Sequence, residues 1–269
     1  MLGNTPQIPF RLPYTSQAPS FTIPDAERSL ADFSDIEVWA QPDAGNVLVP
    51  SPKLRIASRF GAWTLDTDGP NISIGSGLAE ATEVLTISGG NDAGQEPPHV
   101  PGFTFSGDYF AAVLLKFDDA ADMGAVHHIF SAGIAGTATA LQCYNNGGAL
   151  FLKHGANNNS QAGVFAQGGE YLVLVTYDSE ADKARAYVNS LTPVGWGGAE
   201  NVAGPAGGDQ ELTIGARWDG AKVGMNQALD GVVRAVWAGR APWGAARYDG
   251  IRSAFLQRVA SLYSDITLA

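Results

Sequence analysis

The stretch from Tyr171 to Asn189, YLVLVTYDSEADKARAYVN, decides the fold. Two apolar runs flank a short acidic turn, Ser179-Glu180-Ala181-Asp182. In the first run Val173 and Val175 alternate with Leu172, Leu174 and Thr176. Successive side chains of a strand point to opposite faces. This strand is therefore apolar on both faces and belongs inside a sheet, covered on both sides. The charged turn stays in water, and the second run ends in Tyr187-Val188-Asn189. The stretch reads as a hairpin of two core strands.

The same grain extends outward from about residue 81. EVLTIS, GDYFAAVLLKF, HHIFSAGI, ELTIGAR and LDGVVRAVWAG are short strand-like runs separated by Gly, Asn or Asp. ALQCYNNGGALFLKHG reads as a hairpin around Asn145-Asn146-Gly147-Gly148, where left-handed backbone angles cost little. Many short strands with such turns predict an all-β sandwich or jelly roll. The end of the chain differs. YDGIRSAFLQRVASLY places Ile251, Phe255, Val259 and Leu262 at helical spacing, with Arg252 and Arg258 on other faces. This predicts a C-terminal helix packed on the sandwich.

The earlier part divides in two. Residues 1–30 carry Pro6, Pro9, Pro13, Pro19 and Pro24. Proline removes amide donors and fixes φ, so an extended arm is expected there, either a loose terminus or an anchoring strap on a neighbouring subunit. Residues 31–80 contain DIEVWAQ and SPKLRIASRFGAWTLDT, read as a small β attachment segment or as early strands of the main domain. The main domain is placed at 81–269.

The order of LVLVTYD, turn, ARAYVN, LTIGAR, LDGVVRAVWAG and terminal helix resembles the concanavalin A-like, laminin G-like jelly roll. Tyr177, Asp178, Tyr187, Val188, Asn189, Ile214, Gly215, Leu229 and Gly231 stand at the positions of that pattern. Ser190 departs from it, because the family usually has Gly there. The resemblance implies a jelly-roll fold over about 81–269, and a carbohydrate ligand at the rim loops or the concave sheet.

Composition bounds the function further. The 269 residues carry a formal charge of −11, which repels phosphate backbones and argues against nucleic-acid binding. No apolar span is long enough to cross a bilayer. The lone Cys143 leaves no disulfide framework and reads as a core thiol. Glucanases of this fold use paired carboxylates on one strand. That pattern is missing: Asp32, Asp35 and Glu37 come in the wrong order and outside the matched region. His127 and His128 are adjacent on a strand and face opposite sides, so they share no metal. No catalytic residue is assigned and no enzyme activity is expected. The alternatives are a polysaccharide-degrading enzyme with an unrecognised site, or a scaffold that binds only protein.

A sugar offers an apolar ring face and several hydroxyls, which aromatic and amide side chains answer together. The candidate carbohydrate-binding residues are Asn145 and Asn146 in YNNGG, and Asn157, Asn158 and Asn159 in GANNNSQ. Trp196 in VGWGG and Arg217, Trp218 and Asp219 in RWDG complete the set. Asp66, Asp68 and Asn71 in DTDGPN offer oxygen ligands to calcium, but the stretch lacks the distal Glu of the helix–loop–helix motif and reads first as a turn. No other cofactor is expected. Trp39, Trp63 and Trp237 read as core, and Trp243 as a staple at the helix entry.

The start of the sequence lacks the charged-then-apolar pattern of a secretory signal. Together with the arm, this suggests a spike or fibre of a phage or phage-like particle, assembled in the cytoplasm and exposed on the released particle. The expected partners are host-surface polysaccharide, other particle proteins held through the arm, and further copies of the chain.

Overall fold

The computed structural model describes residues 30, 32–42, 46–49, 53–59, 63–75, 84–105, 107–133, 141–155, 157–196, 211–263 and 266–269. The proline-rich arm, Leu30 apart, lies outside them. In chain order the first strands are β1 (Val38–Ala40), β2 (Val47–Val49), β3 (Lys53–Ala57), β4 (Thr64–Asp68) and β5 (Ile72–Gly75). Then come β6 (Val84–Ile87), β7 (Gly90–Asp92), β8 (His99–Thr104), β9 (Tyr109–Phe117) and β10 (Val126–Ala132). β11 (Leu141–Asn146), β12 (Ala149–His154), β13 (Asn157–Gln161), β14 (Glu170–Asp178) and β15 (Lys183–Val188) follow. The last elements are β16 (Glu211–Ile214), β17 (Arg217–Trp218), β18 (Met225–Ala228), β19 (Gly231–Gly239) and the helix α1 (Asp249–Leu262).

The strands form an all-β jelly-roll sandwich of the concanavalin A-like class. Sheet A runs β15-β14-β9-β19-β6-β5, with β1 also paired to β19. Sheet B runs β13-β12-β11-β10-β16-β8-β4-β3-β2. A third, small sheet runs β17-β18-β7. Residues 38–75 fall in the segment expected as an attachment piece. They supply β1 and β5 to sheet A and β2–β4 to sheet B, with Leu54, Ile56, Leu65 and Ile72 buried in the core shared by both sheets.

The hairpin of the opening stretch is β14–β15, in register from Val173↔Val188 to Asp178↔Lys183. As its pattern predicts, β14 is interior and buried on both faces from Leu172 to Asp178. Val173 and Val175 face sheet B, in one core with Cys143, Leu150 and Leu152. Leu172 and Leu174 face the other way, in a second core with Trp237, Trp243, Phe255 and Val259. Each such side chain contributes roughly 1.5–3 kcal/mol by leaving water. The molecule thus has three layers: α1, sheet A and sheet B.

The helix packs as expected but on a rotated face. Arg252, Phe255, Leu256 and Val259 are buried, whereas Ile251 is 39% exposed. Arg252, expected on another face, turns inward because its charge is met there. It donates to the Trp243 carbonyl and to Asp249, each at 2.6 Å, and lies 4.7 Å over the Tyr187 ring. Trp243 staples the helix entry: it stacks on Phe110 at 3.7 Å and donates to Asp35 at 3.0 Å. No helix among the described residues is long and apolar enough to cross a membrane.

Candidate functional site

Sheet A has its outer face covered by α1, so the other broad face of the sandwich is the outer face of sheet B. Its chemistry follows from one hairpin. Gly147 and Gly148, at φ +65° and +75°, form a two-residue turn between Asn146 and Ala149. Counting back from that turn sets Tyr144 opposite Phe151 and Gln142 opposite Lys153. Leu150, Leu152, Leu141 and Cys143 take the inward positions. Tyr144, Phe151 and Lys153 therefore face outward and are half-buried. The two aromatic rings stack at 5.0 Å and 9°.

Neighbouring strands extend these rows. On β13, Ser160 stands opposite Phe151 and Asn158 opposite Lys153, both exposed. On β10, His128 stands opposite Tyr144, their rings 5.2 Å apart, and Ser131 opposite Gln142. The result is an aromatic pair edged by amide, hydroxyl and ammonium groups.

The β17–β18 hairpin lies beside the start of β10. His128 Nε2 is 3.2 Å from Gln227 Oε1. Arg217 donates from Nε to Asn226 Oδ1 at 3.0 Å and lies within electrostatic reach of both Tyr144 and His128. Burial, with the charge of Arg217 second, pushes the His128 imidazole down to about 3, so it is neutral at pH 7. Burial also lowers Arg217 from the ordinary guanidinium value.

The sequence candidates divide between this face and the interior. Asn158 and Arg217 belong to the face, and exposed Asn146 ends β11 at its margin. The side chain of Asn157 lies outside the described residues. Asn145 takes an inward position, is fully buried, and donates to the Met123 and Ala125 carbonyls at 3.2 and 3.3 Å. Burial thus removes it from any surface ligand. Asn159 also points inward, opposite Leu152. Trp218 is 5% exposed and packs 5.1 Å from the His99 ring, so it fills the sandwich end and is no platform. Asp219 accepts the N–H groups of Ala221 and Val223 and shapes its own turn. Trp196 follows β15 at the edge of sheet A and packs against the core. Sequence reasoning missed Tyr144, Phe151 and Lys153. The signal was present in the Gly147-Gly148 turn, from which the facing pairs can be counted.

The calcium candidates do not converge. Asp66 pairs with Arg55 at 2.6 Å and Asp68 with Lys53 at 3.4 Å. They line a cleft of ≈ 340 Å³ whose acidic charge is met by its own cations. Asn71 instead donates to Asp92 and takes Gln95 Oε1 on its backbone N–H at 2.8 Å. Among the described residues no three His, Cys, Asp or Glu side chains group closely enough to hold a metal ion. His127 and His128 face opposite sides. The ring nitrogens of His127 lie 2.9 Å from the Ala228 carbonyl and 2.8 Å from the Asp122 carbonyl, inside the fold. Cys143 is a buried core thiol, pushed up by burial. Asp35 holds Trp243, and Glu37 accepts the Arg240 N–H at 2.9 Å and pairs with its side chain at 3.5 Å.

No protein-family model and no curated protein matches the sequence. Solved structures match the fold. A Trypanosoma rangeli sialidase, in complex with a difluorinated keto-deoxy-nononic acid, aligns at a TM-score of 0.57 and 13% identity, over 84% of this chain and 33% of its own. A mutant of that sialidase displaying trans-sialidase activity aligns at 0.54 and 15%, over 87% and 34%. A CBM40 domain of Ruminococcus gnavus IT-sialidase, bound to α2,3-sialyllactose, aligns at 0.45 and 9%, over 63% and 95%. The chain spans about a third of the length of the sialidases it matches. At these identities the likeness is one of fold.

Proposed function

We propose that this chain is a carbohydrate-binding, adhesive module and that its ligand lies on the outer face of sheet B. One observation carries the reading: the stacked, half-buried Tyr144–Phe151 pair, edged by Lys153, Asn158 and Ser160. An aromatic face takes the C–H face of a sugar ring while the polar edge meets its hydroxyls. The sialidases of the same fold, one of them in complex with sialic acid, support a setting in sugar recognition.

The wider setting we infer is a spike or fibre of a phage or phage-like particle, assembled in the cytoplasm and displayed on the particle. The proline-rich 1–30 segment suits a strap onto another subunit, and the single cysteine suits assembly without disulfides. Labelling released particles with an antibody against this chain and imaging them tests that setting. A glycan array probed with the full chain tests the ligand. Binding that Tyr144→Ala and Phe151→Ala each reduce tenfold or more supports the reading. Binding that both variants retain in full removes this face from it.

A further inference from the structure

The charge on this face is unusual for so acidic a chain. Many of the described cations elsewhere meet carboxylates: Arg55 meets Asp66, Lys222 meets Glu211, Arg240 meets Glu37, Arg247 meets Glu180 and Arg252 meets Asp249, whereas exposed Arg258 on α1 has no such partner among the described residues. With 27 Asp and Glu against 16 Lys and Arg, a carboxylate is seldom far away. Arg217 and Lys153 have no carboxylate partner among the described residues. Arg217 is half-buried, where an unpaired charge is costly, and the side chain that accepts from it is the neutral amide of Asn226. Its neighbour on β10, His128, is neutral at pH 7, and the residue opposite His128 on β11 is the aromatic Tyr144.

Lys153 completes the pattern. It stands on β12, two strands from β10, a lateral distance of about 10 Å at ordinary strand spacing. The aromatic pair Tyr144–Phe151 lies in the adjacent row. Two unpaired cations thus flank a sugar-sized aromatic surface. The guanidinium is planar and presents its donors as a fork that matches a carboxylate.

We infer that this face selects a carboxylate-bearing polysaccharide, with Arg217 pairing a sugar carboxylate, Tyr144 and Phe151 carrying the ring, and Lys153 meeting a second acidic unit. The inference rests on the carbohydrate reading above and narrows it to one ligand class. The net charge of −11 opposes any polyanion at long range, so such binding requires a local site.

The test uses the full chain with polygalacturonate, alginate, hyaluronan and polysialic acid, each beside its carboxyl-reduced form, and with neutral dextran and galactan. At least one acidic polymer is expected to bind. Reduction of its carboxyl groups and the variant Arg217→Gln should each weaken it roughly tenfold or more, the loss of one charge-assisted contact. Lys153→Gln, at a half-exposed strand position that does not threaten folding, should weaken it severalfold, and Tyr144→Ala should abolish it. If neutral and carboxyl-reduced polymers bind as well as acidic ones, and Arg217→Gln and Lys153→Gln change nothing, the acidic class is overturned. Loss of that binding in Tyr144→Ala would then leave the carbohydrate reading standing. Absence of binding to every polymer overturns both.

Discussion

Asn189 completes β14 with its side chain. Its Oδ1 accepts the Leu172 N–H at 2.7 Å, and its own N–H donates to the Leu172 carbonyl at 3.0 Å. Nδ2 reaches the Glu170 carbonyl at 2.9 Å. It does this at φ +45°, a left-handed conformation that Asn tolerates better than most residues. The final Asn of Tyr-Val-Asn is therefore a lock on the start of the neighbouring strand. The left-handed turn is taken at Asn189, so the next position does not need Gly and holds Ser190. Its hydroxyl lies 3.0 Å from that of Thr192 and 3.3 Å from the Ala269 carbonyl.

Replacing Asn189 by Ala should remove both side-chain bonds and leave a strained backbone, at a cost of roughly 2–3 kcal/mol. Asn189→Gly should cost less, because the strain goes while the two bonds are still lost. Urea unfolding of the two variants beside wild type checks the order. Equal stability of Asn189→Ala and wild type would show the lock to be idle.

Gly231 opens β19 between two close neighbours. It pairs with Phe117 on one side and Ile87 on the other. A Cβ there would collide with the Lys116 carbonyl oxygen and lie 3.0 Å from Phe117 Cα. Both obstacles are backbone and cannot rotate away. Gly231→Ala should destabilise by about 1–3 kcal/mol through overpacking. At Gly147 a Cβ meets nothing within 4 Å, so Gly147→Ala should cost only the left-handed strain at φ +65°, about 1 kcal/mol. Thermal melts of the pair separate steric from conformational cost.

Much of the fold was legible because burial on both faces leaves a strong mark. β9, β14 and β19 are long apolar runs, and the sequence pattern places all three. β13 leaves no such mark: NNNSQ is polar throughout, and an edge strand needs no apolar alternation to pair with Phe151 and Leu152 on β12. The site was less legible. Tyr144 and Phe151 meet only through the register of β11 and β12, and Arg217 comes within electrostatic reach of Tyr144 from a hairpin far along the chain. Asn-rich composition drew attention to the loops, yet Asn145 and Asn159 turn inward. The helix stripe was misaligned because Arg252, polar by type, finds its partners at the buried Trp243 carbonyl and the Tyr187 ring.

That arrangement gives a prediction for Arg252. Arg252→Met keeps an apolar stem in the second core but leaves the Trp243 carbonyl without its donor, at a cost of about 1–3 kcal/mol. Arg252→Ala also loses the packing over Tyr187 and should be less stable than Arg252→Met. Near-ultraviolet circular dichroism, sensitive to Trp243 and Tyr187, should change in both. If Arg252→Ala and Arg252→Met unfold together, packing over Tyr187 contributes nothing.

His128 links the candidate face to pH. Its imidazole is held at about 3 in the fold, by burial first and by Arg217 second, against about 6.5 in the unfolded chain. Below pH 6.5 the unfolded chain therefore binds a proton that the fold refuses. The stability that depends on a neutral His128 is whole above pH 6.5 and drains as pH falls toward 3. Between pH 6.5 and 5, before most carboxylates titrate, one such group should remove about 2 kcal/mol. His128→Gln cannot take up this proton, so its stability should fall less steeply over that window. Urea midpoints of wild type and His128→Gln at pH 7.5, 6.5, 5.5 and 5.0 measure the difference, and parallel profiles would refute it. Arg217→Gln removes only the smaller cause, so the slope should persist in that variant even as acidic-polymer binding is lost. Stability and ligand recognition would thereby be separated on the same patch of sheet B.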